Sequence, residues 1–313
     1  MSVIRFIVSV PQSEVKQTML KIERILCPVD FSEFSAKAIE YAVSLARHYE
    51  AKLTVEHVIQ PLTVSYPYYG FPETLEGVYE DLGTDARKHL QELVKGYSPD
   101  GIEPELIVNC GLVTDTILGF AEQRSVDLIV MGTHGRQGLD HLTMGSVTEK
   151  ILRKSLCPVL TVRKPSHDFA KLVQGNEEPV VLRKILFCTD FSENSDRALA
   201  YALSLAGEYG AELTLLHVEA ALPPSTEIQS VTEDLVLQME AALPPDIRDW
   251  CTIHSIVRIG KPYEQIVQAA LEANTDLVVM GVRGRGTIDL ALFGSTTHRV
   301  IQLGTCPVLV VPI

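Results

Sequence analysis

Several things are scarce in this chain of 313 residues, and each scarcity narrows what the protein can be. Positive charge is the first: 27 lysines and arginines stand against 40 aspartates and glutamates, a net charge of −13. A surface that acidic repels phosphate backbones and anionic lipid, which argues against non-specific nucleic-acid or membrane partners. It leaves room for a nucleotide held by backbone amides in one local pocket. No uninterrupted apolar run approaches the ~18 residues of a membrane-spanning helix. The apolar opening MSVIRFIVSV is broken by Arg5 and has no small-residue cleavage site after it, so it does not read as a secretory signal. Met19, just before the first strand pattern, would serve as a start, leaving residues 1–18 as an extension with little structural role.

Paired cysteine spacing is missing as well. Cys27, Cys110, Cys157, Cys188, Cys251 and Cys306 are scattered, with no CxxC, and five lie in or beside strand-like apolar segments. Small buried thiols in a reducing, cytoplasmic compartment account for them better than a metal site does. The catalytic signatures GxxxxGK[ST], GxSxG and HExxH are also absent, which removes the Walker lysine, the nucleophile elbow and the zinc-protease helix.

What the chain has in abundance is itself. Asp30 to Val58, DFSEFSAKAIEYAVSLARHYEAKLTVEHV, aligns without gaps on Asp190 to Val218, DFSENSDRALAYALSLAGEYGAELTLLHV, at a constant offset of 160. Seventeen of the 29 positions are identical, too many for chance. Further on the offset is 149: Gly111 meets Gly260, Met131-Gly132 meets Met280-Gly281, and Cys157-Pro158-Val159-Leu160 meets Cys306-Pro307-Val308-Leu309. The 11 extra residues of the first copy (160 − 149) therefore fall between Val58 and Gly111, and the turn-rich YPYYGFPETLEG suggests a longer connection there.

Within each copy the periodicity alternates. RILCPVD and KILFCTD have strand length and end at an Asp; Ser32 and Ser192 then offer N-caps, and Ala38, Tyr41, Ala42, Leu45 and Ala46 recur at helical spacing. Strands KLTVEHV and ELTLLHV, ELIVNCG and HSIVRIG, DLIVMG and DLVVMG, and finally PVLTV and PVLVV follow, separated by helical stretches. Strands that are apolar on both faces and alternate with helices imply a parallel sheet covered on both sides. With right-handed crossovers the expectation is an α/β protein of two tandem, doubly wound, five-stranded Rossmann-like domains. The boundaries expected are an extension 1–20, a first domain 21–163, a linker 164–180 and a second domain 181–313. The closing strands PVLTV and PVLVV are the edges expected to meet in a pseudo-twofold pair, which would also cover them.

Doubly wound sheets bind ligands at the carboxyl ends of their strands, where the winding direction switches. Both copies place a glycine-rich loop there: GTHGRQGLDHLTMGS from Gly132 and GVRGRGTIDLALFGS from Gly281. Each reads glycine, two residues, glycine, nine residues, glycine, serine. Glycine permits close backbone approach and positive φ. The final Gly-Ser opens a helix, whose free amides and dipole favour phosphate, and the serine can donate to phosphate or cap the helix. Turn formation alone would explain one such loop; two at the same switch point favour binding, although duplication copies a turn as faithfully as a site.

The strand-Asp-Phe-Ser opening, the HV ending of the second strand, the glycine loop and the terminal CPVL strand resemble the universal stress protein family, over nearly the whole chain after about Lys21. That resemblance implies a fold of the adenine nucleotide alpha-hydrolase type and an ATP-binding, nucleotide-dependent stress-response module. It implies that Asp30, Val58, Met131, Gly132, Gly135, Gly145 and Ser146 hold ATP in the first copy. In the second it implies Asp190, Val218, Met280, Gly281, Gly284, Gly294 and Ser295. Two alternatives stay open: a slow ATPase using the same loops, and a dimer-like structural platform without nucleotide. The HIGH and SGGxDS signatures of enzymes on related folds are absent, and no base and oxyanion donor stand out, so fast hydrolysis is disfavoured. Further association of two chains is left open.

The remaining candidates read more blandly. His57 and His217 lie on apolar strands without a nearby Cys or His and read as structural. Asp140 and Asp289 could help hold Mg²⁺ near phosphates or be solvated loop carboxylates. Arg136 and Arg285 could neutralise phosphate or be exposed basic side chains. The copies differ after the Gly-Ser, Val147 against Thr296, and in what the sequence suggests is the outer loop, Thr133-His134 against Val282-Arg283.

Overall fold

The computed structural model describes residues 20–61, 74–95, 97, 102–134, 144–163, 181–221, 228–249, 251–284 and 294–312. The first copy contains β1 (Arg24–Pro28), α1 (Glu33–His48), β2 (Lys52–Ile59), α2 (Thr74–Lys95), β3 (Glu105–Cys110), α3 (Val113–Gln123), β4 (Leu128–Gly132), α4 (Ser146–Lys154) and β5 (Val159–Val162). The second repeats them as β6 (Lys184–Thr189), α5 (Glu193–Tyr209), β7 (Glu212–Glu219), α6 (Ile228–Ala241), β8 (Ile253–Ile259), α7 (Pro262–Glu272), β9 (Leu277–Gly281), α8 (Ser295–Leu303) and β10 (Val308–Val311). The extension, all but its last residue, and the linker lie outside the described residues.

The strands form one ten-stranded sheet in the order β3-β2-β1-β4-β5-β10-β9-β6-β7-β8. Pairing is parallel within each half and antiparallel only where β5 meets β10, with Val308 opposite Thr161, Leu309 opposite Leu160 and Val310 opposite Val159. The closing edges thus meet as the sequence led us to expect. Leu160 and Leu309 are equivalent positions of the two copies, so the pseudo-twofold axis passes between them.

Helices α1 and α5 start at the caps that the sequence offers. Ser32 caps α1, its Oγ accepting from Ser35 N at 3.2 Å, and Ser192 caps α5 in the same way at 3.4 Å. Gly210 ends α5 in the left-handed conformation, φ 61°. Alternate strand residues feed two cores, one per face. One gathers Ile25, Val55 and Leu90 with Ala38, Tyr41 and Ala42 of α1 and their counterparts. The other gathers Leu26, Ile129 and Val159 with Ile117 of α3 and Ile151 of α4. Both clusters run across the seam between the copies.

The extra length of the first copy is not only a longer connection. Helix α2 has 22 residues where α6 has 14, so much of it is helix, and the Thr74–Gly77 end of YPYYGFPETLEG opens that helix. Residues 62–73 lie outside the described residues.

Candidate functional site

The switch point in each half lies between the carboxyl ends of β1 and β4, or β6 and β9, and the described candidate residues gather there. Asp30 follows the end of β1, and its Oδ1 accepts from Ser32 N at 3.1 Å. Asp190 Oδ1 accepts from Ser192 N at 3.2 Å, Ser192 Oγ at 2.6 Å and Ser195 Oγ at 3.2 Å, so the capping residues of α5 also fix this carboxylate. Between aspartate and cap, Phe31 and Phe191 both adopt left-handed backbone, φ 62° and 59°. That conformation costs a bulky residue on the order of 1 kcal/mol. Each ring packs on a histidine, Phe31 on His57 at 4.4 Å and Phe191 on His217 at 4.6 Å between centroids.

Those histidines tie the second strand to the first. His57 Nδ1 donates to Val29 O at 2.8 Å and His217 Nδ1 to Thr189 O at 2.9 Å; a carbonyl only accepts, so Nδ1 carries the proton in both. The structural reading of these residues holds. They steady the ends of β1 and β6 next to the candidate aspartates. Among the described residues no group of three or more His, Cys, Asp or Glu side chains could hold a metal ion.

Val58, Met131 and Met280 are buried in the same core, with Val218 half-buried against it, so their side chains floor the site from beneath. Gly132 and Gly281 have a reason to be glycine that the sequence did not reveal. A Cβ on Gly132 would lie 2.9 Å from the Phe34 carbonyl carbon and Cβ, and on Gly281 it would lie 3.0 Å from Asn194 O. The first turns of α1 and α5 press against these strand ends, and neither glycine has positive φ. Gly284 meets the aspartate instead: a Cβ there would come 2.4 Å from Asp190 Oδ2. In the second copy the loop after β9 therefore starts directly over the end of β6. Gly135, with Arg136, Asp140, Arg285 and Asp289, lies outside the described residues.

Where the chain returns, Gly145 N donates to Thr133 O at 2.9 Å and Gly294 N to Val282 O at 3.3 Å. These glycines, φ −62° and −59°, are the N-caps of α4 and α8, and neither helix has a side-chain cap. Ser146 and Ser295 are the first helical residues and are exposed, so they do not cap. The uncapped first-turn amides and the dipole form the electropositive end of each cradle.

Thr148 and Thr297 are residues that sequence reasoning missed. Each is buried, and its Oγ1 donates to the carbonyl of Gly132 or Gly281 at 3.0 Å, locking the start of α4 or α8 to the fourth strand of its copy. Their identity at the offset of 149 was the available signal.

The copies also differ below the surface. His134 and Arg283 are buried, 4% and 9% exposed, rather than part of an outer loop. His134 lies against Phe34, 5.0 Å between ring centroids, and its Nδ1 is 2.9 Å from Thr133 Oγ1. Glu56, two residues before Val58, is fully buried where the second copy has Leu216. Its Oε1 accepts from Asn109 Nδ2 at 2.8 Å, while Oε2 has no hydrogen-bond partner among the described residues. Burial raises the Glu56 pKa above the ordinary value near 4.5, with the Asn109 bond opposing it.

Fold and strand-end geometry together define a duplicated, doubly wound α/β protein with one cradle per copy. Comparison with known proteins gives the family. The model of the universal stress protein family matches residues 21–163 and again 182–312, and the chain belongs to that family. A universal stress protein of Mycolicibacterium smegmatis is 27% identical over 295 residues, covering 92% of this chain and 96% of the relative. One from Methanocaldococcus jannaschii is 30% identical over 147 residues, 47% of this chain and 85% of the relative. The crystal structure of a universal stress protein from Archaeoglobus fulgidus superposes with a TM-score of 0.69 at 26% identity, over 92% of this chain and 98% of that one. No described helix is long and apolar enough to cross a membrane.

Proposed function

We propose that this protein is a cytoplasmic ATP-binding universal stress protein with one nucleotide site in each copy, whose occupancy tunes its conformation or its protein partners. The observation that carries the reading is the convergence, twice in one sheet, of a strand-end aspartate, a glycine-lined fourth strand and an uncapped helix N-terminus. Each part matches one part of the ligand. Adenine would sit between Asp30 and the backbone at Val58, or between Asp190 and Val218. The ribose would cross the glycines after Met131 and Met280, with Gly284 beneath it in the second copy and Gly135 as its counterpart in the sequence of the first. The phosphates, with or without Mg²⁺, would meet the amides and hydroxyls at Gly145-Ser146 and Gly294-Ser295. The described residues fit a bound nucleotide better than they fit rapid hydrolysis, because the helix N-termini supply donors and no described residue beside them is placed as a base.

A carboxylate at the first helical position separates binding from folding. Ser146→Asp and Ser295→Asp put negative charge where the helix dipole favours it, worth about 0.3–1 kcal/mol to the helix. The same charge repels a phosphate tail. Titration calorimetry should show about two ATP per parent chain, one per single variant and none for the double variant, with melting temperatures at or slightly above the parent. A parent that binds no ATP, or a folded double variant that still binds two, would refute the reading.

A further inference from the structure

The seam between the copies has a built-in partner preference. In a twofold interface a residue near the axis meets its own equivalent, so the interface must be compatible with itself. The sheet obeys this, since Leu160 faces Leu309. At the ends of α1 and α5 the equivalents also meet, because 48 and 208 are related by the offset of 160. Here the two copies carry different residues. His48 Nε2 lies 2.8 Å from Glu208 Oε1, and the pair is half-buried, with side chains 28% and 18% exposed.

The neighbours repeat the pattern. The His48 ring stacks on Tyr209, centroids 4.4 Å apart at 20°, while Tyr49 Oη donates to the other oxygen of Glu208 at 2.9 Å. Tyr49 and Tyr209 are themselves equivalents. Burial raises both phenol pKa values, so Tyr49 stays a donor. Glu208 thus has both oxygens satisfied by the first copy.

Self-pairing would lose this. Two second copies would bring two carboxylates together at the axis in a site that excludes much of the water, and like charges so placed repel strongly. Two first copies would bring two imidazoles together and take from the Tyr49 hydroxyl the carboxylate that now accepts its proton. We propose that His48 and Glu208 are a matched pair that commits the seam face of the first copy to a second copy, and disfavours association of two identical copies from different chains.

The full chain tests this by mimicking each self-pair within itself. H48E creates the carboxylate pair, E208H the imidazole pair, and H48E/E208H restores a matched pair in reverse. Each single variant should lower the melting temperature by roughly 3–6 °C, and the double variant should return to within about 1 °C of the parent. H48Q/E208Q, uncharged and of similar size, should fall between the parent and the like pairs. A double variant that shows the sum of the two single losses would overturn the proposal. So would a Gln pair that costs as much as the like pairs, because packing alone would then explain the seam.

Discussion

Gly132 and Gly281 offer a test of whether packing or ligand approach demands glycine at the end of the fourth strand. An alanine Cβ at Gly132 would sit 2.9 Å from the Phe34 carbonyl carbon, a separation that Cβ atoms essentially never show. At Gly281 the nearest atoms of Asn194 are at 3.0, 3.1 and 3.2 Å, which a shift of a few tenths of an ångström would relieve. Overpacking a tight site costs about 1–3 kcal/mol. Replacing glycine by alanine gains about 0.4–1 kcal/mol by restricting the unfolded chain. The balance for Gly132→Ala is a net loss of about 1–2 kcal/mol, and for Gly281→Ala it is close to neutral. A loss of that size lowers the melting temperature by roughly 2–8 °C, readable by scanning calorimetry without nucleotide. If Gly132→Ala melts at or above the parent, or Gly281→Ala is the more damaging, helix packing is not what excludes a side chain. The same contacts mean that valine at either position disturbs α1 or α5, so it is a poor probe of binding. The aspartates at Ser146 and Ser295 avoid that difficulty.

Three further outcomes are expected. The raised pKa of Glu56 means that the folded protein holds a proton the unfolded chain gives up, so between the unfolded value near 4.5 and the folded one stability falls as pH rises. Glu56→Gln removes this slope, and melts across that range should show the variant gaining on the parent as pH increases; parallel curves would refute it. Thr148→Val deletes a buried hydrogen bond to Gly132 O and should cost about 1–2 kcal/mol, with ATP affinity falling in the first site only. Brief alkylation of native protein, mapped by mass spectrometry, should label Cys110 first, since it is exposed while Cys27, Cys188, Cys251 and Cys306 are buried with thiol pKa values raised by burial.

What could be seen in the sequence follows from what backbone periodicity and duplication encode. The β/α alternation and the closing CPVL strands gave the sheet and the edges that meet, because apolar runs bounded by caps leave few other ways to satisfy buried backbone. Asp30, Asp190 and the glycines stood out because strand ends and turns restrict residue type. The tertiary reasons stayed hidden. Nothing in Gly132 itself reveals that Phe34, nearly a hundred residues earlier, fills the space its side chain would take. Nor does anything in the helical sequence around Thr148 show that its hydroxyl bonds a strand carbonyl.

The repeat was most informative where its copies disagree, because a shared backbone makes each difference a controlled comparison. Glu56 against Leu216 changes a buried apolar position into a partly satisfied acid, and His134 against Arg283 changes the charge held at the strand end. His48 against Glu208 has another character, since the two residues touch each other and neither substitution is intelligible alone. A mismatch between copies at the axis is therefore a statement about pairing, whereas a mismatch at the strand ends is one about the sites. The two kinds should separate experimentally: changes at residues 48 and 208 should move stability and leave ATP stoichiometry at its parent value, and the aspartates at 146 and 295 should do the reverse. If the seam variants abolished binding while the chain remained folded, the sites would depend on the pairing of the copies, and the division drawn between them would be wrong.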